Sequence, residues 1–193
     1  IEVTPVIIED FNSNPNQYLS KDENGKWNYD VIMVGSSDSN IRKDIGDMAI
    51  PIVTEFIKDG GGVLFGHDSI SHLSELKNLR TLAEYLNLKI YGGFCYNGIN
   101  EKGGVADGQS NITIFKKGQL TNYPWNIGDI GTNLTVPSTH TMGQLANGDI
   151  WMRFNYNNIG MNDVSNYYLT TYNNTAMIQT GHSNGQSTPD EQK

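Results

Sequence analysis

Residues 60–68 read GGGVLFGHD, which is the pattern of a turn, a short strand and a polar strand end. The glycines follow a helix that we predict over residues 47–58, where apolar side chains recur on one face. Residues 63–65 are an apolar run of the kind that forms a buried strand. The next glycine allows a sharp turn before a His-Asp pair. A helix that leads into a buried strand predicts an α/β fold.

The same alternation extends to both sides. Residues 31–34 (VIMV) predict another strand, buried on both faces, and residues 72–86 place leucines at helical spacing. Residues 88–91 predict a third strand. Near the end, residues 167–172 and 176–180 predict two strands joined by an Asn-Asn turn. Strands that alternate with helices indicate a parallel sheet built from βα units.

The 193 residues fit a single domain that spans residues 1–193. Residues 97–166 are rich in Asn, Gly and Thr and predict a loop-rich insertion or cap, with strand candidates at Ile112–Phe115, Leu134–Val136 and Ile150–Phe154. The chain begins without Met, and residues 188–191 have the form of a helix start three residues from its end. We therefore expect a fragment of a larger protein.

Charge and composition exclude several classes of function. Thirteen basic residues against 21 acidic ones give a net charge of -8, which argues against a nucleic-acid partner. No run approaches the roughly 18 apolar residues of a membrane span, so we expect no direct membrane insertion. The single Cys95 excludes an intrachain disulfide and a multi-cysteine zinc site. It is compatible with the cytoplasm or with a bacterial surface protein that avoids cysteine.

Three predicted strands end in glycine followed by small polar or imidazole side chains, at residues 31–38, 63–69 and 177–184. Parallel strands end at the same edge of a sheet, where open α/β sheets bind ligands. The predicted ligand-binding residues are Gly35, Ser36, Ser37, Asp38, Gly66, Gly181 and His140. The candidate catalytic residues are His67, Asp68, His182 and Ser183. The alternative is that these residues form ordinary exposed loops.

Residues 60–68 resemble the Gly-Gly-Gly-apolar-His strand of the trehalose-utilisation (ThuA-like) proteins, and residues 167–183 resemble their closing hairpin with its Gly-His-Asp. The resemblance covers about residues 29–90 and 167–193 and implies a three-layer, flavodoxin-like sheet of the class I glutamine amidotransferase-like group. A closer resemblance, at Phe11-Asn12-Ser13, Tyr29-Asp30 and Gly66-His67-Asp68, is to a domain of unknown function in large bacterial surface proteins. This implies a cell-surface or extracellular location and flanking domains of the same polypeptide as partners.

Glutaminase chemistry is not expected, because it needs a Cys nucleophile at the strand-to-helix turn and this turn carries His67-Asp68. Residues 181–185 match the Gly-x-Ser-x-Gly elbow of hydrolases around Ser183. In that fold the acid and the histidine follow the serine, and no histidine follows here. A strand-end turn is therefore the favoured interpretation of residues 181–185.

Metal and saccharide binding are further alternatives. His67, Asp68, His140 and His182 are ligand types that zinc accepts, but their spacing matches no metal motif, so we predict no metal or cofactor. Aromatic residues among asparagines could stack on sugars, although aromatics in strands more often belong to the core: Trp125, Trp151, Tyr156, Tyr167, Tyr168 and Tyr172.

The sequence thus favours a non-glutaminase domain that binds a small polar ligand or saccharide at the carboxyl ends of its strands. The alternative is a hydrolase acting on a carbohydrate or an amide, with His67 and His182 as acid and base or as metal ligands and Asp68 orienting one of them. A purely structural module is the third possibility.

Overall fold

The computed structural model describes residues 2–35, 43–94, 108–140, 142–155, 166–181 and 186–193. In these ranges the chain has a mixed α/β fold. Its helices are α1 (Ile8–Ser13), α2 (Pro15–Tyr18), α3 (Ala49–Lys58), α4 (Lys77–Thr81) and α5 (Gln119–Asn122), with 3₁₀ turns at Ser74–Leu76 and Leu82–Leu86. Its strands are β1 (Val31–Val34), β2 (Gly62–Phe65), β3 (Leu88–Phe94), β4 (Gln109–Ile114), β5 (Asn133–Thr139), β6 (Met142–Ala146), β7 (Asp149–Phe154), β8 (Tyr167–Tyr172) and β9 (Thr175–Ile178).

Seven of these strands form one sheet, in the order β1-β2-β9-β8-β7-β4-β5. Strands β1, β2 and β9 run parallel, whereas each later neighbour pairs antiparallel. The sheet is therefore mixed, whereas we predicted a parallel sheet closed by a hairpin. Strand β3 was expected as a third parallel strand, but it pairs antiparallel with β6 in a separate two-stranded sheet. The third parallel strand is β9, from the far end of the chain.

The direction of β5 decides what lies at the edge of the sheet. Counting from β9, the antiparallel pairings reverse the chain at β8, β7, β4 and β5, so β5 again runs in the direction of β9. The carboxyl ends of β1, β2, β9, β7 and β5 therefore lie at one edge of the sheet. In a flat sheet β5 would stand about 19 Å from β9, four strand spacings away. The Thr139 hydroxyl nevertheless donates a hydrogen bond of 2.7 Å to the Gln179 carbonyl, which requires the sheet to curl.

Two apolar clusters fill the two faces of the sheet. The larger cluster packs the helical segments against β2 and β9 and includes Val53, Phe56, Phe65, Leu79, Leu82, Leu86 and Met177. The smaller cluster lies against β4, β5 and β7 and includes Ile112, Ile114, Leu134, Val136, Met152 and Phe154. Tyr167 belongs to the first cluster and Tyr168 to the second, because successive strand residues point to opposite faces. Each large buried side chain contributes about 1.5–3 kcal/mol to folding.

Most strands predicted from local patterns are present, with some corrections. The three strand candidates of segment 97–166 correspond to β4, β5 and β7, which continue the main sheet. The expectation that β1 is buried on both faces is wrong, because β1 is an edge strand in which Val31 and Met33 are each 60% exposed. The hairpin of β8 and β9 is confirmed, with Asn173 in the left-handed region at φ 51°.

The predicted helix over residues 72–86 is only partly α-helical. Its α-helical turn, α4, lies between two 3₁₀ turns. The Asp44 carboxylate accepts the backbone N–H groups of Asn78 and Leu79, at 2.6 and 2.9 Å, and so satisfies donors that have no partner within the helix. Asn87 ends the segment in the left-handed conformation. Within the described ranges, no helix has both the length and the apolar character needed to cross a membrane.

Candidate functional site

The candidate site begins where β1 and β2 end, at two glycines in close contact. Gly66 donates its N–H to the Val34 carbonyl at 2.8 Å, and a Cβ at Gly66 would lie 2.0 Å from the Gly35 carbonyl oxygen. Gly35 has φ 79°, and a Cβ there would lie 2.3 Å from Cβ of Ser69. Both predicted ligand-binding glycines therefore allow two strand-end loops to touch, a close approach that a larger residue would prevent.

His67 and Asp68 follow directly in the turn after β2. Asp68 adopts φ 63°, a left-handed conformation that is uncommon for residues other than glycine, and the Ser69 hydroxyl closes the turn on the Gly66 carbonyl at 2.7 Å. His67 Nε2 lies 3.2 Å from Asp68 Oδ2, and both residues are only 2% exposed. The turn thus holds an imidazole and a carboxyl group in contact, away from water.

The end of β5 adds a second imidazole. The rings of His67 and His140 meet edge to face, with centroids 4.5 Å apart, and His140 is 8% exposed. Thr139, the residue before His140, lies 3.5 Å from His67 through its Oγ1 and the ring Nδ1. This hydroxyl donates its hydrogen to the Gln179 carbonyl, so Thr139 connects the ends of β2, β5 and β9.

Below these groups lies a further set of buried polar side chains. The Tyr167 hydroxyl donates to Gln144 Oε1, and Gln144 Nε2 donates to the Ile70 carbonyl. Burial raises the pKa of the Tyr167 phenol far above its usual range, an effect that a contact with Gln179 only partly opposes. The Gln179 side chain is fully buried, and within the described part of the chain neither of its amide atoms has a hydrogen-bond partner of good geometry.

A buried amide without partners costs about 1–3 kcal/mol for each unsatisfied group, so native proteins usually satisfy it with water or a ligand. Gln179 therefore places a buried polar side chain beside the ends of β5 and β9, in contact with Tyr167.

His67, Asp68 and His140 also have the composition of a metal site. Each offers one ligand atom, and these atoms all lie within 4.8 Å of one another. Imidazole nitrogen and carboxylate oxygen are ligands that Zn²⁺ and similar ions accept. The same three groups could instead transfer protons, since a buried imidazole beside a carboxylate is a common acid–base arrangement.

The structure brings several predicted site residues together: Gly35, Gly66, His67, Asp68, His140 and Gly181. Gly181 belongs to this group because a Cβ there would lie 2.5 Å from Cδ2 of His67. The other predicted site residues lie outside the described ranges: Ser36, Ser37, Asp38, His182 and Ser183. Thr139, Gln144 and Gln179 were not predicted as site residues, and Tyr167 was considered only for sugar stacking. A glutamine directly after the apolar run of residues 176–178, inside a predicted strand, was the one signal that could have singled out Gln179.

A concave surface lies elsewhere on the molecule. A groove of about 590 Å³ is lined by Trp27, Tyr29 and Asp59, among others. It includes residues 60–61 and Asp30, which precede β2 and β1, so it lies at the amino edge of the parallel strands. Trp27 is held there by a hydrogen bond of 3.0 Å from its indole N–H to Asp59. This groove is therefore separate from the histidine cluster.

The aromatic residues considered for sugar stacking have mixed environments. Trp151 donates its indole N–H to the Thr171 hydroxyl at 2.8 Å, and Tyr167 and Tyr168 are buried in the two apolar clusters. Trp125 is 59% exposed, and Tyr156 lies outside the described ranges.

Searches among protein-family models, curated proteins and solved structures found no significant match to this chain.

Proposed function

We propose that this domain binds a small polar molecule, with saccharides as the leading class, at the carboxyl ends of β1, β2, β9 and β5. The observation that carries the proposal is the burial of His67, His140 and Gln179 together at the edge where these strands end. Specific polar groups in a sheltered position fix the orientation of a ligand and reject molecules that leave them unpaired. Burying such groups costs stability unless they are hydrogen-bonded or paired.

We also propose that the fold is a variant of the three-layer, flavodoxin-like arrangement of the ThuA-like and class I amidotransferase-like proteins, and that the domain belongs to a larger bacterial surface protein. The support is the parallel trio β1, β2 and β9, with α3 between the first two strands and α4 between the last two. The resemblance of residues 60–68 and 167–183 adds to it.

A thermal-shift panel of mono- and disaccharides, including trehalose, tests the binding proposal. A sugar at 100 times its Kd stabilises the native state by about 2.7 kcal/mol. For a chain of this size that corresponds to a rise in Tm of roughly 5–11 °C. We expect the shift for at least one sugar in the native protein and its loss in His140→Ala.

The matched control for this panel is Trp27→Ala, in the groove at the opposite edge. A shift that persists in His140→Ala and disappears in Trp27→Ala would place binding in the groove at the amino edge. The absence of any shift across the panel would contradict the saccharide proposal.

A second candidate function is hydrolysis of a glycoside or an amide. The observation that favours it is the distance of 3.2 Å between His67 Nε2 and Asp68 Oδ2, which is suited to an imidazole that accepts or donates a proton while a carboxylate orients it. A role for His182 and Ser183 stays a prediction from the sequence. Chromogenic nitrophenyl glycosides and anilides provide the assay. Loss of a general acid or base should lower the rate about 10²–10⁴-fold in His67→Ala, with His72→Ala unchanged.

A further inference from the structure

Thr139 presents an acceptor towards His67. A hydroxyl has one hydrogen, and that of Thr139 is donated to the Gln179 carbonyl at 2.7 Å. Its Oγ1 lies 3.5 Å from His67 Nδ1 and has a lone pair that can accept an N–H from that nitrogen. A neutral His67 with its proton on Nδ1 has the lone pair on Nε2, where it can bind a metal.

Nε2 is the atom that lies 3.2 Å from Asp68 Oδ2, and both side chains are almost fully buried. Two arrangements fit this distance: an Nε2–H that donates to the carboxylate, or a metal ion that binds both the Nε2 lone pair and the carboxylate. The His140 imidazole, a third ligand type within 4.8 Å of the other two, favours the metal ion.

We propose that a divalent transition-metal ion, in the first place Zn²⁺, is bound by His67 Nε2, the Asp68 carboxylate and the His140 imidazole. This inference rests on the proposed function in that it uses the same strand-end site. Metal–ligand bonds of about 2.0–2.2 Å in a tetrahedron separate the ligand atoms by about 3.4 Å. The 3.2 Å between Nε2 and Oδ2 agrees with such an edge. The ligand atom of His140 lies within 4.8 Å of those of His67 and Asp68, so small side-chain rotations would bring all three to the separations of a tetrahedral site.

The surroundings also match those of a metal site. A histidine that binds a metal commonly donates its other ring N–H to an oxygen that fixes its orientation, and Thr139 Oγ1 has that position for His67. Two imidazoles with one carboxylate suit zinc and related ions, whereas Mg²⁺ and Ca²⁺ prefer oxygen ligands alone. Three protein ligands leave a fourth position open, where a ligand hydroxyl or a water molecule could bind.

The test is a titration of the chelator-treated protein with Co²⁺, followed by visible absorption, and with Zn²⁺ in competition. We expect one equivalent of Co²⁺ with the intense absorption typical of a tetrahedral site, and displacement by Zn²⁺. His140→Ala and Asp68→Ala should lose this binding. His72→Ala is the matched control, because His72 is a neighbouring histidine outside the cluster, and it should bind Co²⁺ normally.

Thr139 allows a test that leaves all three ligands in place. Thr139→Val keeps the shape of the side chain and removes the hydroxyl, so we expect Co²⁺ affinity to fall about 10–100-fold. Thr139→Ser keeps the hydroxyl and should bind nearly as the native protein does. Circular dichroism confirms that each variant is folded before titration.

The proposal is overturned if the native protein binds Co²⁺ no more tightly than His140→Ala, or if the two Thr139 variants bind it equally. These outcomes are separable from those of the sugar panel. A sugar-induced Tm shift that requires His140 without any metal binding would overturn the metal alone. Metal binding without any sugar-induced shift would overturn the saccharide proposal alone.

Discussion

The imidazole of His67 packs directly on the backbone of Gly181, so that a Cβ at Gly181 would lie 2.5 Å from Cδ2 of the ring. His67 follows β2 and Gly181 follows β9, which are neighbouring parallel strands. The absence of a side chain at residue 181 therefore permits the position that the imidazole takes beside Asp68 and His140.

Gly181→Ala should displace this imidazole. The extra methyl group should destabilise the fold by about 1–3 kcal/mol, as expected for overpacking, and should weaken Co²⁺ binding. Chemical denaturation and the Co²⁺ titration measure the two effects. Gly46→Ala is the control, because its Cβ would meet Asn12, and not His67, at an ordinary 3.4 Å. Equal behaviour of the two variants would show that the contact with His67 is not restrictive.

Tyr167→Phe tests the buried polar interior. In the native protein the Tyr167 hydroxyl donates to Gln144 Oε1, and both residues are fully buried. Removal of the hydroxyl leaves a buried acceptor unsatisfied, so we expect a loss of about 1–3 kcal/mol in the free energy of unfolding. Tyr123→Phe removes a hydroxyl from a residue that is 74% exposed and should change stability little. Urea denaturation of the two variants gives the comparison.

Because β1 is an exposed edge strand, an apolar residue in β1 should contribute less to stability than one in the neighbouring strand β2. Met33 in β1 is largely exposed, whereas Phe65 in β2 is fully buried. We expect Met33→Ala to change the unfolding free energy by no more than about 0.5 kcal/mol, and Phe65→Ala to lower it by about 3–5 kcal/mol. A large loss in Met33→Ala, measured by urea denaturation, would mean that β1 is covered in solution.

His72 predicts part of the dependence of stability on pH. Burial, and next to it the charge of Arg80, lower the pKa of this imidazole below its ordinary value of about 6.5. As the pH falls through 6.5, the unfolded chain takes up a proton at His72 before the folded chain does. Stability due to this group is therefore present above that pH and lost below it. His72→Gln should reduce the fall in Tm between about pH 7 and pH 5, and an unchanged slope would contradict the lowered pKa.

Local patterns were sufficient for several elements. The apolar run of residues 63–65 predicted β2, and the Asn-Asn turn predicted the hairpin of β8 and β9, because these features depend on residues close in the sequence. The helix predicted over residues 47–58 is present as α3, beginning at Ala49. Burial was harder to predict. The run of residues 31–34 is as apolar as a central strand, and only the strand order shows that it lies at an edge.

The sequence by itself determined that polar groups follow Gly66 and Gly181 at strand ends, and it identified His67, Asp68 and His140 as groups able to bind or react. Only the tertiary structure decided that His140 meets His67, across 73 positions of sequence, and that Thr139 and Gln179 support them. The physical reason is that strand pairing and sheet curl are set by contacts distant along the chain. The chain direction reverses four times between β9 and β5 across the sheet, so the two strands end at the same edge. No local sequence pattern predicts how many such reversals occur.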